Sequence, residues 1–108
     1  MHRALTLLGF AKKAGHVISG TEALNDALQK NRIHFLFIAH DCSQASLRQL
    51  LRQASNIPMT MNYSRDELAQ ATGMRVRNAY GISDRKMALA MAQEMEQGGM
   101  SIGKNKSI

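Results

Sequence analysis

The chain is poor in aromatic residues and in cysteine. It contains no tryptophan and only 5% aromatic residues, which argues against an aromatic stacking platform for single-stranded nucleic acid. Its one cysteine, Cys42, cannot form an internal disulfide and fits a reducing compartment. Apolar runs such as Phe35–Ala39 are far too short to span a bilayer, and the N-terminal residues show no secretory signal pattern. We therefore expect a cytoplasmic protein without a membrane partner.

Motifs for cofactor binding and catalysis are also missing. Neither G-x-x-x-x-G-K-S/T nor G-x-G-x-x-G occurs, so the nucleotide-binding templates fail. The four histidines lack metal-ligand spacing, and one cysteine cannot support a structural zinc site. His40-Asp41-Cys42 follows an apolar run, but adjacent residues at a strand end point in different directions, and no activating base is identifiable. We interpret it as a strand-to-helix turn, and the sequence predicts no catalytic residue, no metal and no cofactor.

Composition and charge indicate what the chain is instead. At 108 residues and 44% hydrophobic, it is expected to form a single domain with a real core. Its formal net charge is +6, and residues 1–40 carry five Lys and Arg against only Glu22 and Asp26. Such a surface favours a polyanion partner, with plain solubility as the alternative explanation.

Apolar periodicity and helix-end signals predict alternating helices and strands. Helices are expected over 3–14, from 19 to about 30, over 43–54, over 64–73 and from 83 or 84 onward, with strands at 17–18, 35–39, 59–61 and, more weakly, 76–82. Ser43 and the capping box from Ser64 to Glu67 mark two helix starts, and Gly73 marks a helix end. The continuous apolar run at 35–39 is typical of a strand covered on both faces by helices. The stripe of Met87, Met91 and Met95 is expected to face the core. This order predicts an α/β fold, a three-layer α/β/α sandwich with a central sheet of about four strands. Residues 1–97 form the domain, and 98–108 are expected to be a flexible tail.

Two segments are candidates for binding nucleic acid. The first, Lys12–Glu22, is a basic turn followed by the start of the second helix, whose free amides suit phosphates and base edges. Within it, Ser19-Gly20-Thr21-Glu22 fits a capping box with Ser19 as the N-cap. The second, Gly73–Arg77, carries two arginines beside apolar Met74 and Val76, which could press on an unstacked base. For either segment, a solvated surface is the competing interpretation.

At these residues the chain resembles the YlxQ-type bacterial branch of the ribosomal-protein superfamily that binds kink-turn RNA. The resemblance rests on LLGFAKKAGHVISGTEAL, FLFIAHD, NIPMTMNYSRDELAQATG and GISDRKMALA, and it covers nearly all of residues 5–95. It implies the same three-layer fold and an RNA site at the start of the second helix, together with an apolar loop before the last strand.

The chain departs from the motif that this family uses, which is similar to G-x-N-E-x-x-K. Gly20 and Thr21 fit its opening, whereas Glu22, Ala23 and Asp26 stand where the family has Asn, Glu and Lys. Asp26 in place of a lysine changes the local charge by two units, which could weaken the attraction to nearby phosphates by about 2 kcal/mol. Arg75 and Arg77 can compensate through the RNA backbone, so the sequence favours RNA binding over standard kink-turn specificity.

The leading hypothesis is a non-catalytic, monomeric RNA-binding protein, associated with the ribosome and recognising structured, kink-turn-like RNA. The expected RNA-binding residues are Lys12, Lys13, Gly20, Thr21, Glu22, Asn25, Arg75, Val76 and Arg77. One alternative is a protein-interaction module that kept the fold but lost kink-turn recognition, as Ala23 and Asp26 suggest. A third hypothesis, an accessory domain of an RNA-modifying enzyme, is disfavoured by the small size of the chain.

Overall fold

Helices and strands alternate along the described part of the chain. The computed structural model describes residues 3–54, 56–97 and 103–104. The elements in these residues are α1 (Arg3–Lys13), β1 (Val17–Ser19), α2 (Thr21–Gln29), β2 (Phe35–Ile38), α3 (Gln44–Gln53), β3 (Pro58–Thr60), α4 (Arg65–Thr72), β4 (Ala79–Ile82), α5 (Arg85–Gln97) and β5 (Gly103–Lys104). The predicted order of elements is confirmed, and most bounds differ by one or two residues. No helix in these residues has the length and apolar character needed to cross a membrane.

The strands form one mixed sheet in the order β1-β4-β2-β3-β5. Strand β4 runs antiparallel to both β1 and β2, and β3 runs parallel to β2. Strands β1, β2 and β3 therefore all point the same way and end at one edge of the sheet. The helices that follow them, α2, α3 and α4, all begin at that edge.

Strand β2 forms the centre of the core because both of its faces are covered by helices. Phe35 and Phe37 pack with α1, α4 and α5 on one face, and Leu36 and Ile38 pack with α2 and α3 on the other. All four side chains are almost fully buried. These two helical layers around one sheet confirm the predicted three-layer α/β/α sandwich.

The methionine stripe of α5 belongs to the first of these layers. Met91 and Met95 are fully buried, and Met87 is partly buried against the same cluster. The prediction that these residues face the core is confirmed.

The sheet contains the four expected strands and a short fifth one. Strand β5 pairs antiparallel with β3 through Pro58 and Met59. Its two residues belong to the segment 98–108, whose other residues lie outside the described part of the chain, and the flexible tail stays a prediction.

Three of the four local end signals are confirmed. Ser43 caps α3, Ser64 and Glu67 form a complete capping box on α4, and Gly73 ends α4 in the left-handed conformation. The fourth, Ser19 as the cap of α2, is wrong. Gly20 is the N-cap residue, with φ 91°, and no side chain caps the helix. Ser19 instead lies in β1 opposite Tyr80. The residue that the local pattern predicted as a helix cap is therefore part of the sheet.

Candidate functional site

The edge where β1, β2 and β3 end carries a cleft, to which the segment before β4 also contributes. The cleft has a volume of about 240 Å³. Its lining residues come from α2, α3, the start of α4 and the segment before β4. They are Gly20, Thr21, Leu24, Asn25, Ser46, Gln49, Leu50, Arg65, Val76, Arg77, Asn78 and Ala79. Among these lining residues, two are arginines and none is acidic.

Three helix N-termini meet at this edge, and two of them are capped by side chains. In α3, Ser43 Oγ accepts a hydrogen bond from the Ser46 amide at 3.2 Å. In α4, Ser64 Oγ accepts from the Glu67 amide at 3.1 Å, and Asp41 Oδ1 accepts from the Arg65 amide at 2.9 Å.

The third N-terminus, that of α2, has no side-chain cap. The first amides of a helix have no partner within the helix and carry partial positive charge. Gly20 and Thr21, at this end of α2, line the cleft. The N-terminus of α2 is therefore the one of the three whose first amides have no side-chain acceptor.

Gly20 has a backbone conformation that favours glycine, and it lies beside Arg77. Its φ of 91° lies in a region that residues with a side chain rarely adopt. A Cβ placed on Gly20 would lie 4.0 Å from Arg77 Cζ, so the guanidinium group lies directly beside this turn. The start of α2 and the loop before β4 thus form two walls of one site.

The loop before β4 is held in place by a buried tyrosine. Tyr80 Oη donates a hydrogen bond to the Arg75 carbonyl oxygen at 2.6 Å and accepts one from the Arg77 amide at 3.1 Å. Burial raises the pKa of Tyr80 above its usual value, so the hydroxyl stays protonated and able to donate. The predicted strand over 76–82 is wrong for residues 76–78. These residues form a loop in which the Arg77 amide donates to Tyr80 Oη, and the strand begins at Ala79. Val76 lies on this loop with 52% of its surface exposed.

The cleft brings together five of the nine predicted site residues. Gly20, Thr21 and Asn25 come from the start of α2, and Val76 and Arg77 come from the loop. Glu22 and Arg75 are exposed beside the cleft but do not line it.

The remaining two predicted residues, Lys12 and Lys13, lie elsewhere. They form the exposed last turn of α1, before β1 begins. Gly20 follows the other end of β1, so the strand separates these lysines from the cleft. A role for them in RNA binding stays a prediction.

Several cleft residues were missed by the sequence reasoning. Ser46, Gln49 and Leu50 belong to α3, Arg65 to α4, and Asn78 precedes β4. No local pattern marks α3 and α4 as part of the site, because their residues reach the cleft only through the shared direction of β1, β2 and β3. Asn78 Nδ2 donates to Ser46 Oγ at 3.1 Å, which links the loop to α3.

Arg65 is held at the cleft by Asp41. Its Nε lies 3.6 Å from Asp41 Oδ2, and the hydrogen bond from the Arg65 amide lowers the pKa of Asp41. The neighbouring Cys42 has a pKa raised by burial, so its sulfur is a protonated thiol near neutral pH and not an activated nucleophile. His40-Asp41-Cys42 is the turn between β2 and α3, as interpreted from the sequence.

Asp26, which stands where the family motif has lysine, does not line the cleft. It lies on the exposed face of α2 and forms an ion pair with Lys30, with Oδ2 and Nζ 3.1 Å apart. Its charge therefore has a neighbouring cation one helical turn away.

The fold and the matching sequence define the class to which the protein belongs. Residues 3–90 match the ribosomal protein L7Ae/L30e/S12e/Gadd45 family, and the chain belongs to this family. Within it, the chain is similar to the RNA-binding protein YlxQ of Enterococcus faecium, with 27% identity over 88 residues that cover 80% of this chain and 84% of that protein. The resemblance stated from the sequence is confirmed.

Two solved structures share the fold. A protein of unknown function from Bacillus halodurans superposes with a TM-score of 0.81 and 23% identity, over 89% of this chain and 99% of that one. The Giardia lamblia 15.5kD RNA binding protein superposes with a TM-score of 0.67 and 15% identity, over 86% of this chain and 82% of that one.

Proposed function

We propose that the protein is a non-catalytic RNA-binding protein that holds structured, kink-turn-like RNA at the cleft between α2, α3 and the loop before β4. The observation that carries this proposal is the uncapped N-terminus of α2 in a cleft that contains Arg65 and Arg77. The similar proteins from Enterococcus faecium and Giardia lamblia are described as RNA-binding, which supports the same partner. We further propose that the RNA is ribosomal and that the protein acts as a cytoplasmic monomer.

The cleft offers separate groups for the backbone and for the bases. The amides of the first turn of α2 can donate to phosphate oxygens and to base acceptors, and the hydroxyl of Thr21 can donate to them or accept from base N–H groups. Arg77 and Arg65 suit phosphates or the two acceptors of a guanine edge.

The apolar side chains Leu24, Leu50 and Val76 also line the cleft, and they suit the face of an unstacked base. RNA is recognised by protein mainly where bases leave the helix, as they do at a kink. A cleft with a polar rim and an apolar lining fits such a site better than it fits a regular duplex.

A binding titration with three RNAs tests this proposal. A kink-turn RNA, a regular duplex and an unstructured strand of matched composition are compared by anisotropy over a range of salt concentrations. We expect the tightest binding to the kink-turn RNA, with log K falling against log salt with a slope of about −3 to −4 for about four neutralised phosphates. Absence of salt-sensitive binding to all three RNAs would overturn the proposal. Sedimentation of the protein with ribosomal particles tests the ribosomal partner separately.

The second candidate function is a protein-interaction module that no longer binds RNA. Two departures from the family motif support it. Ala23 stands in place of a Glu, and Asp26, which pairs with Lys30, stands in place of a Lys. The variant Asp26→Lys separates the two functions: a degenerate site gains RNA affinity, whereas a site that binds RNA in its own way does not. Glu94→Lys on α5 is the control, since it makes the same change of charge on the other helical layer.

A further inference from the structure

Helix α3 carries positive charge without any acidic residue. Its sequence, QASLRQLLRQ, contains Arg48 and Arg52 and no Asp or Glu. The two arginines are four residues apart, so they lie on the same face of the helix. Both are exposed, and neither forms an ion pair with another described residue. The opposite face, with Leu50 buried and Leu47 and Leu51 partly buried, packs on the sheet.

This basic face is continuous with the cleft. Ser46, Gln49 and Leu50 line the cleft from α3, and Arg52 follows Gln49 by three residues, which makes the two neighbours on the helix surface. Arg48 and Arg52 are about 6 Å apart along the helix axis, close to the separation of neighbouring phosphates on one RNA strand. A backbone that leaves the cleft past Gln49 would meet both cations.

We propose that Arg48 and Arg52 form a second contact surface for RNA, which binds phosphates of a double-helical arm continuing from the nucleotides in the cleft. The proposal rests on the proposed function and names the part of the RNA that α3 contacts. Such contacts fix the position of a stem and carry no sequence information.

The chemistry of α3 favours an RNA stem over a protein partner. Stable protein interfaces centre on buried apolar or aromatic anchors. The exposed large hydrophobic residues in the described part of the chain are Phe10, Met61, Val76 and Leu89, and none of them lies on α3. The exposed residues of α3 are instead polar, small or cationic, which matches a phosphate backbone.

The test compares two RNAs that share one kink but differ in stem length. The short RNA ends close to the kink, and the long RNA extends one stem by about one helical turn. We expect the wild-type protein to bind the long RNA about 10- to 50-fold more tightly in 0.1 M salt, as two additional phosphate contacts imply. The double variant Arg48→Ala/Arg52→Ala should bind the short RNA like the wild type and lose this gain. Its salt slope on the long RNA should be smaller by about 1.8.

The matched control is Arg85→Ala/Lys86→Ala, which removes the same charge from the start of α5 on the other helical layer. This control should keep the gain on the long RNA. Equal affinities of wild type and Arg48→Ala/Arg52→Ala for the long RNA overturn the stem contact while leaving the cleft proposal intact. An equal loss on both RNAs also overturns it, because the arginines would then act at the kink itself. Failure of the wild type to bind either RNA removes the proposed function and this inference with it.

Discussion

The hydroxyl of Tyr80 donates a hydrogen bond to the carbonyl oxygen of Arg75, with the two oxygens 2.6 Å apart. The same hydroxyl accepts the amide of Arg77 at 3.1 Å. A side chain buried in the sheet thus fixes the backbone on both sides of Val76. It sets where the Arg77 guanidinium lies relative to Gly20. This hydroxyl and the Asn78–Ser46 hydrogen bond together hold the loop that forms one wall of the cleft.

The variant Tyr80→Phe removes both hydrogen bonds while the ring continues to fill the core. We expect a stability loss of about 1–3 kcal/mol, because the partly buried Arg77 amide loses its acceptor. RNA affinity should also fall, because the loop no longer holds Arg77 beside α2. Thermal denaturation and anisotropy titration measure the two effects.

A double-mutant cycle with Arg77→Ala shows whether Tyr80 acts through Arg77. The double variant should bind RNA no more weakly than Arg77→Ala alone. Additive losses would show that Tyr80 affects binding by another route.

The variant Gly20→Ala tests the backbone conformation at the start of α2. The backbone there has φ 91° and ψ 141°, a conformation that is strained by about 1–3 kcal/mol for a residue with a side chain. We expect lower stability and weaker RNA binding, since relief of the strain moves the first amides of α2. Gly15→Ala is the control, because Gly15 has φ 80° and a Cβ placed on it would have no other atom within 4 Å. It should lose stability to a comparable degree and keep its affinity; equal affinity losses would contradict the assignment of Gly20 to the site.

The ion pair of Asp41 with Arg65 predicts a pH-dependent stability. The folded-state pKa of Asp41 lies below its ordinary value of 3.8, chiefly because the carboxylate accepts the Arg65 amide. A lowered carboxyl pKa stabilises the folded state above the unfolded pKa, and this contribution is lost as the pH falls through the folded pKa. The melting temperature of the wild type should therefore exceed that of Asp41→Asn at pH 7, and the difference should shrink below about pH 4. A difference that stays constant from pH 7 to pH 2 would show that the charge of Asp41 does not contribute.

Because Lys12 and Lys13 lie away from the cleft, two double variants that each remove two positive charges should differ in the salt dependence of RNA binding. Arg65→Ala/Arg77→Ala removes the two cations of the cleft and should lower the salt slope by about 1.4 to 1.8. Lys12→Ala/Lys13→Ala removes the same charge at the other end of β1 and should lower it less. A larger effect of the lysine pair would mean that the RNA is centred on the end of α1.

The features that could be predicted from the sequence are those set by neighbouring residues. The run from Phe35 to Ala39 predicted a strand covered on both faces, because only such a strand buries consecutive apolar side chains. Ser43 and Ser64 predicted helix starts, since a cap forms between residues three apart in the chain. With these elements in place, the three-layer fold followed.

The features that could not be predicted depend on contacts between distant residues. Ser19 matched a capping pattern, but its pairing with Tyr80 across the sheet makes Gly20 the N-cap. The same tyrosine holds residues 75 and 77 in a loop through its hydroxyl, so the strand begins only after Asn78. Arg65 and the residues of α3 reach the cleft only because β1, β2 and β3 end at one edge, which requires the sheet order. Lys12 and Lys13 are close to Gly20 in sequence, yet β1 lies between them.

The measurement that tests the central claim most directly is a titration of the ¹⁵N-labelled protein with kink-turn RNA, followed by amide NMR spectra. The amides of Thr21, Glu22 and Ala23 begin the one helix at this edge that lacks a side-chain cap. We predict that they shift or broaden first, together with the amides of Val76 and Arg77, while those at the start of α5 stay in place. Unchanged amides at residues 21–23 under RNA concentrations that perturb other parts of the protein would contradict the account.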